Sequence, residues 1–141
     1  MAAGTLFVEI VAPDTKAFRG DAVSFRAPGV EGSFEVLYNH APLVAATGVG
    51  EVAIRTAAGD EVRFATSGGF VEVLDNHVIM LTETAEPVDQ IDLDRARAAE
   101  ERARERVRES QSPEERAAAE ADFERARNRA RLALGQVGSG R

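Results

Sequence analysis

The stretch Glu86–Ala96, which reads EPVDQIDLDRA, separates two parts of the chain that differ in composition. Seven of the eight aromatic residues lie before it, and only Phe123 lies after it. Apolar residues alternate at every second position before this stretch and recur every three to four positions after it, which indicates strands followed by helices. Because Asp92, Asp94 and Arg95 fall in the first turn of the first helix, we expect regulation to act through this segment.

Charge and composition exclude several classes of protein. The 141 residues carry a net charge of −7, whereas nucleic-acid binding requires a basic face. The chain contains no cysteine, which fits a reducing compartment and excludes a disulfide framework. No apolar run approaches the ~20 residues of a membrane span, and the first residues lack the pattern of a signal peptide. We therefore expect a soluble intracellular chain.

Residues 1–87 have the pattern of an all-β domain. Eight or more short strand-like segments recur about every 8–12 residues, a spacing typical of a sandwich or barrel. Gly29 and Gly32 bracket one tight turn, and Asp75-Asn76 predicts a two-residue hairpin turn. Gly68-Gly69 permits a bulge or a close approach of two backbones.

Residues 88–141 predict two antiparallel helices. The first ends near Glu109, and Ser112-Pro113 begins the second as N-cap and first helical residue. This second helix is expected to run to about Leu134, with Gly135, Gly138 and Gly140 in a frayed tail. Both apolar stripes consist mainly of alanine: Ala96, Ala99, Ala103 and Val107 on the first helix, and Ala119, Phe123, Ala126, Ala130 and Leu134 on the second. Since alanine favours helix but buries little area, we expect a hairpin that is well formed locally and weakly docked.

The sequence offers no catalytic constellation. His40 and His77 are the only histidines, and no cysteine or carboxylate pair completes a metal site around them. Ser67-Gly68-Gly69 lacks the frame of a nucleophile elbow. We therefore predict neither catalytic residues nor metal ligands.

The arginines of the helical part allow two interpretations. Arg95 and Arg102 share a helix face, and Arg125 and Arg129 are like charges four residues apart, which costs a bare helix about 0.2–0.5 kcal/mol. In an antiparallel pair, Arg95 can face Arg125 and Arg129, and converging guanidiniums beside a helix N-terminus form a polyphosphate site. The alternative is a solvated helix face of mixed charge.

Two motifs in the β part make the chain similar to a known family. Gly29–Leu43 reads G-x-E-G-x-F-x-V-x-x-x-H-A-P-L, and Thr66–Val73 reads TSGGFVEV. The combination resembles the epsilon subunit of bacterial F-type ATP synthases, over nearly the whole chain. This resemblance implies a β-sandwich of about ten strands (residues 1–87), a rotor-contact domain, followed by an antiparallel two-helix hairpin (residues 88–141), a regulatory domain.

The resemblance also implies a function and partners. The family is a non-catalytic rotor subunit of the central stalk, which couples the gamma subunit to the c ring. Its mobile hairpin extends toward the alpha and beta subunits of the catalytic head and inhibits ATP hydrolysis. The expected location is the cytoplasmic face of the bacterial plasma membrane, with membrane association only through the complex.

Some members of the family bind ATP through an I/L-D-x-x-R-A motif, which Ile91–Ala96 matches at every fixed place. A preceding glutamate and a pair of arginines on the second helix complete that site in the family. The resemblance thus implies ATP as a regulatory ligand, with no obligatory cofactor. The residues expected to bind it are Glu86, Ile91, Asp92, Arg95, Ala96, Arg102, Arg125 and Arg129.

The partner-contact loop departs from the family's pattern. This loop usually contains Pro-Gly before His-Ala-Pro, but here Tyr38 and Asn39 stand in those places. Asparagine can replace glycine at positive φ, whereas loss of proline makes the loop less rigid. We expect Phe34, Val36 and Leu43 to flank His40 on an exposed edge. The predicted partner contacts are Phe34, Tyr38, His40 and Leu43.

Two other functions compete with this prediction. The first is a free-standing ATP-sensing module in which the sandwich binds some other partner. The second is a small hydrolase, which the lack of a nucleophile–base pair disfavours. Recovery of gamma and c subunits with the chain distinguishes the rotor subunit from the sensor, and turnover by the isolated chain supports only the hydrolase.

Overall fold

A computed structural model describes residues 4–13 and 15–139. The chain divides into two compact units, one that ends at Pro87 and one that begins at Val88. Within the described residues, no helix combines the length and the apolar character needed to cross a membrane.

The first unit is a β-sandwich of seven described strands, which confirms the predicted fold class. Their order in the sheet is β1-β6-β5-β4-β2-β3, with β7 paired to β5, and an additional β1–β2 pairing closes the sheet on itself. The strands are β1 Leu6–Ala12, β2 Thr15–Gly29, β3 Gly32–Val36, β4 Leu43–Thr56, β5 Glu61–Leu74, β6 His77–Thr82 and β7 Ala85–Pro87.

The expected number of about ten strands is wrong for the described part of the chain. The turn predicted at Gly20-Asp21 is absent, because both residues lie inside the long strand β2. The close approach of two backbones predicted at Gly68-Gly69, inside β5, is confirmed: a Cβ at Gly69 would lie 1.8 Å from the Leu81 carbonyl oxygen.

The predicted turns of the sandwich are confirmed where they connect strands. Gly29 pairs with Gly32 across the β2–β3 turn. Asp75 and Asn76 both have positive φ, 50° and 63°, between β5 and β6, as a two-residue hairpin turn requires. The inward-facing residues form one apolar core, in which the largest fully buried side chains are Phe25, Phe64, Leu6, Ile10, Ile54 and Met80.

The second unit is a helical hairpin, as predicted. A 3₁₀ turn, Val88–Gln90, precedes α1 (Leu93–Glu109), and α2 spans Pro113–Ser139. The side chain of Ser112 accepts a hydrogen bond from the Glu115 N–H at 3.1 Å, which confirms Ser112 as the N-cap. The Glu115 side chain in turn accepts from the N–H of Gln111, the residue before the N-cap, at 2.9 Å, so two side-chain bonds hold the start of α2.

The end of α2 differs from the prediction. The helix does not stop near Leu134 but continues through Gly135 and Gly138, because glycine weakens a helix interior by only about 1 kcal/mol. Gly140 lies outside the described residues. Leu134 is half exposed, whereas its neighbour Ala133 is buried. The buried alanines of the two helices are Ala96, Ala103, Ala119, Ala126, Ala130 and Ala133.

Candidate functional site

Contacts between α1 and α2 show which of their residues lie opposite one another. The Arg106 guanidinium lies 3.1 Å from an Asp122 carboxylate oxygen, and the Arg104 guanidinium lies 5.4 Å from the centre of the Phe123 ring. In these contacts the residue number decreases along α1 as it increases along α2, so the helices are antiparallel. Continuing this register places Arg102 level with Arg125. Arg95 lies about two helical turns further along, a displacement of roughly 11 Å.

The cations of α1 fall into two groups. Arg104 pairs with Glu101 at 2.7 Å, and Arg108 pairs with Glu105. Arg95 and Arg102, in contrast, are exposed and form no ion pair with any described side chain. These two guanidiniums therefore remain available to an anion, and both belong to the predicted ATP set.

On α2 the two predicted arginines differ in environment. Arg125 pairs with Asp122, three residues before it on the same helix, and Asp122 also binds Arg106 of α1. Arg129 is half-buried on the same helix. One carboxylate thus connects two guanidiniums that belong to different helices.

Asp92 is the N-cap of α1. Its Oδ1 accepts a hydrogen bond from the Arg95 N–H at 3.0 Å, and its backbone oxygen accepts from the Ala96 N–H, also at 3.0 Å. The cap thus satisfies the Arg95 amide, while the bond from Ala96 is the first ordinary bond of the helix. An anion near this end of the helix would compete with Asp92 for the Arg95 amide.

The apolar members of the predicted ATP set have little accessible surface. Ala96 is fully buried and Ile91 is buried, so neither side chain offers a surface for apolar contact with a nucleotide. Their observed role is close packing. Glu86 belongs to the other unit, where it lies in β7 and pairs with Ala65 of β5.

The contact loop of the sandwich is a tight turn. The His40 N–H donates to the Leu37 oxygen at 3.1 Å, and Asn39 has a φ of 67°, as expected for a residue that replaces glycine. Tyr38, at the first central position of this turn, is 48% exposed and Leu37 is 51% exposed. The His40 Nδ1 lies 2.7 Å from the Ala41 oxygen.

A pair of asparagines fixes this loop to the β5–β6 turn. The Asn39 N–H donates to the Asn76 Oδ1 at 2.6 Å, and the Asn76 Nδ2 donates to the Asn39 Oδ1 at 3.1 Å. Sequence reasoning missed this contact, although both residues were placed in turns. The amide pair supplies a constraint on the loop where the family's usual proline is missing.

The exposed edge expected around His40 needs correction. Val36 is fully buried, and Phe34 and Leu43 are only partly accessible because they pack against the core. Strand alternation turns Leu37 outward where Val36 points inward. The accessible apolar residues of this region are instead Val30, Leu37, Tyr38 and Val44.

The histidines and acids form no metal cluster in the part of the chain that the structure describes. His77 instead lies on the sandwich surface with its Nε2 2.9 Å from a Glu9 carboxylate oxygen. The second Glu9 oxygen lies 3.5 Å from the Arg19 Nε. This cluster joins β1, β2 and β6.

Both units match known sequence profiles. The β-sandwich domain of the ATP synthase delta/epsilon chain matches residues 5–88, and the long α-helix domain of the same chain matches residues 89–133. The ATP synthase epsilon chain of Salinibacter ruber is 50% identical over 145 residues, which cover 97% of each chain. That of Syntrophomonas wolfei is 45% identical over 107 residues, 76% of this chain and 78% of its own.

Solved structures support the same fold. A chain in the cryo-EM structure of the Euglena gracilis mitochondrial ATP synthase (OSCP/F1/c-ring) has a TM-score of 0.81 at 23% identity, covering 95% of this chain and 84% of its own. A chain in the Tetrahymena thermophila mitochondrial ATP synthase central stalk and c-ring has a TM-score of 0.68 at 16% identity, covering 91% and 96%. With both domains matched in order, this chain belongs to the ATP synthase delta/epsilon chain family.

Proposed function

We propose that this chain is the epsilon subunit of the central stalk of an F-type ATP synthase, a non-catalytic subunit that couples gamma to the c ring. The observation that carries the proposal is the match of both units, residues 5–88 and 89–133, to the domains of one family. The chain would be held at the cytoplasmic face of the membrane by the complex. The tight, exposed Leu37–His40 turn supports a role as partner-contact surface.

Copurification from membranes tests this role. A tagged chain should recover gamma and c subunits, and Tyr38→Ala/His40→Ala should reduce that recovery several-fold without unfolding the sandwich. Arg55→Ala/Glu61→Ala is the matched control, because it removes two exposed side chains that pair at the opposite end of β4. Equal recovery with both double variants would place the contact elsewhere, and recovery of neither subunit with the wild type would favour a free-standing sensor.

The second part of the proposal concerns the hairpin: it inhibits ATP hydrolysis at the catalytic head, and ATP stabilises its folded-down state. Arg95 and Arg102 are exposed without an ion pair among the described side chains, and Arg125 and Arg129 add positive charge from α2. Each charge-assisted hydrogen bond to a triphosphate contributes about 1.5–3 kcal/mol. At a hundredfold excess over Kd, ATP would favour the binding state by about 2.7 kcal/mol. A free energy of that size can change the preferred state of a hairpin whose contacts consist mainly of alanine.

Calorimetric titration with ATP, with and without magnesium, tests the binding. Arg95→Ala and Arg125→Ala/Arg129→Ala should each weaken binding at least tenfold, since each variant removes phosphate contacts worth more than 1.4 kcal/mol. Arg97→Ala is the control for α1, because Arg97 is also exposed and lies outside the predicted set. Absence of heat at millimolar ATP, or equal weakening by Arg97→Ala, would reduce these arginines to a solvated face.

A further inference from the structure

The Asp122 carboxylate lies between guanidiniums of both helices. Its Oδ2 is 3.1 Å from the Arg106 Nη1 of α1, and its Oδ1 contacts the Arg125 Nη2 one turn along α2. The side chains of Asp122, Arg125 and Arg106 are 37%, 41% and 58% exposed, so a dissolved anion can reach the cluster. Asp122 lies outside the set of residues that the family's ATP motif implies.

This contact affects the proposed nucleotide site directly. Arg125 lies level with Arg102, and its guanidinium is already held by a carboxylate that belongs to its own helix. A phosphate that binds Arg125 must replace this carboxylate or share the guanidinium with it, and the two anions also repel each other. The net gain from the Arg125–phosphate contact is therefore smaller than for an unpaired arginine.

We propose that Asp122 is an internal competitor that sets the affinity of the hairpin for polyphosphates by occupying Arg125. The inference rests on the proposed binding of ATP to this hairpin. Asp122 thereby lowers the affinity, whereas Arg106 raises it. Because it offers Asp122 a second partner, it keeps the carboxylate paired after Arg125 turns to the ligand.

The two possible roles of Asp122 predict different changes in polyphosphate affinity. If Asp122 competes for Arg125, then Asp122→Asn strengthens polyphosphate binding and Arg106→Gln weakens it. If Asp122 serves only to hold α1 against α2 through Arg106, both substitutions loosen the same contact and change the affinity in the same direction. The pair of variants therefore separates competition from structural support.

The experiment is calorimetric titration of the full chain with ATP and, separately, with inorganic tripolyphosphate. Asp122→Asn should tighten both by about two- to fivefold, the change that corresponds to an exposed ion pair. Glu124→Gln is the matched control, since Glu124 is an exposed acid on α2 and its loss changes the net charge equally. The gain should disappear in Asp122→Asn/Arg125→Ala. Circular dichroism of each variant verifies that the hairpin is intact.

The outcomes distinguish this inference from the proposed function. Wild-type binding with equal effects of Asp122→Asn and Glu124→Gln would leave the function standing and overturn the competition. A shared direction for Asp122→Asn and Arg106→Gln would overturn it too. If the wild type binds neither probe but Asp122→Asn binds tripolyphosphate, the competition is supported and ATP regulation of the native chain fails. Absence of binding in both proteins would overturn both proposals.

Discussion

The sandwich buries large apolar side chains, with Phe25 and Ile54 fully inaccessible, whereas the helical hairpin buries mainly alanine. Buried apolar area contributes roughly 25 cal/mol per Å², so the sandwich gains far more from its core than the hairpin does. The hairpin adds helix propensity, two capped N-termini and several ion pairs. Exposed ion pairs contribute about 0.2–1 kcal/mol each and are screened by salt.

This difference separates a rigid unit from an adjustable one. Salt or a bound anion has little effect on the packing of the buried side chains of Phe25 and Phe64. In the hairpin, in contrast, the charges that contribute to stability are accessible to ions and ligands. A ligand worth a few kcal/mol can therefore alter the hairpin while the core of the sandwich stays unchanged.

The largest expected effect tests the core of the sandwich. Phe25→Ala should lower the free energy of unfolding of the sandwich by about 3–5 kcal/mol, because it empties a fully buried position. Phe70→Ala is the matched control: the same atoms are removed from a side chain that is 60% exposed, and the change should stay within about 0.5 kcal/mol. Urea unfolding followed by tyrosine fluorescence measures both. Similar losses for the two variants would contradict the contrast between the units.

Much of this fold could be predicted because the signals are local. Ser112-Pro113 begins α2 by supplying a side-chain acceptor and a fixed φ, and Asp75-Asn76 adopts the positive φ of its hairpin turn. The continuity of β2 through Gly20-Asp21 could not be predicted, because residues that permit a turn do not require one. The parallel pairing of β1 with β6 joins segments about 70 residues apart, for which the sequence carries no local signal.

The candidate site shows the same division. Spacing alone selects Arg95, Arg102, Arg125 and Arg129 as candidates, and their binding of ATP stays a prediction. The level of Arg102 with Arg125 depends on how the loop between α1 and α2 closes, and so does the contact of Asp122 with Arg106. The N-cap role of Asp92 is predictable from its place directly before a helical pattern.

A smaller effect is expected at the first turn of α1. Asp92→Ala should cost the hairpin about 0.5–2 kcal/mol through loss of the bond to the Arg95 N–H, whereas Asp92→Ser, which keeps a capping oxygen, should cost only a few tenths. Asp94→Ala controls for loss of charge in the first turn. Thermal unfolding followed by helical circular dichroism measures the stability of the three variants. If Asp92→Ser is as destabilising as Asp92→Ala, the carboxylate charge matters more than the cap.

The smallest effect concerns the contact loop and sharpens the contrast between neutral and ionic contacts. Asn39→Gly removes the side-chain bond from Asn76 Nδ2 but keeps the Asn39 backbone N–H, whereas Asn76→Gly removes both bonds; glycine adopts either positive-φ position without strain. A double-mutant cycle cancels the added flexibility of the unfolded glycine chains and should leave a coupling of about 0.5–1.5 kcal/mol. Because both side chains are neutral, this coupling should be the same at low and high salt.

The corresponding cycle of Arg106→Gln and Asp122→Asn in the hairpin should give about 0.2–1 kcal/mol at low salt and less as salt is added. Urea unfolding at two salt concentrations measures both cycles. A coupling between the asparagines that falls with salt as steeply as the ionic one would show that the sandwich surface is as adjustable as the hairpin.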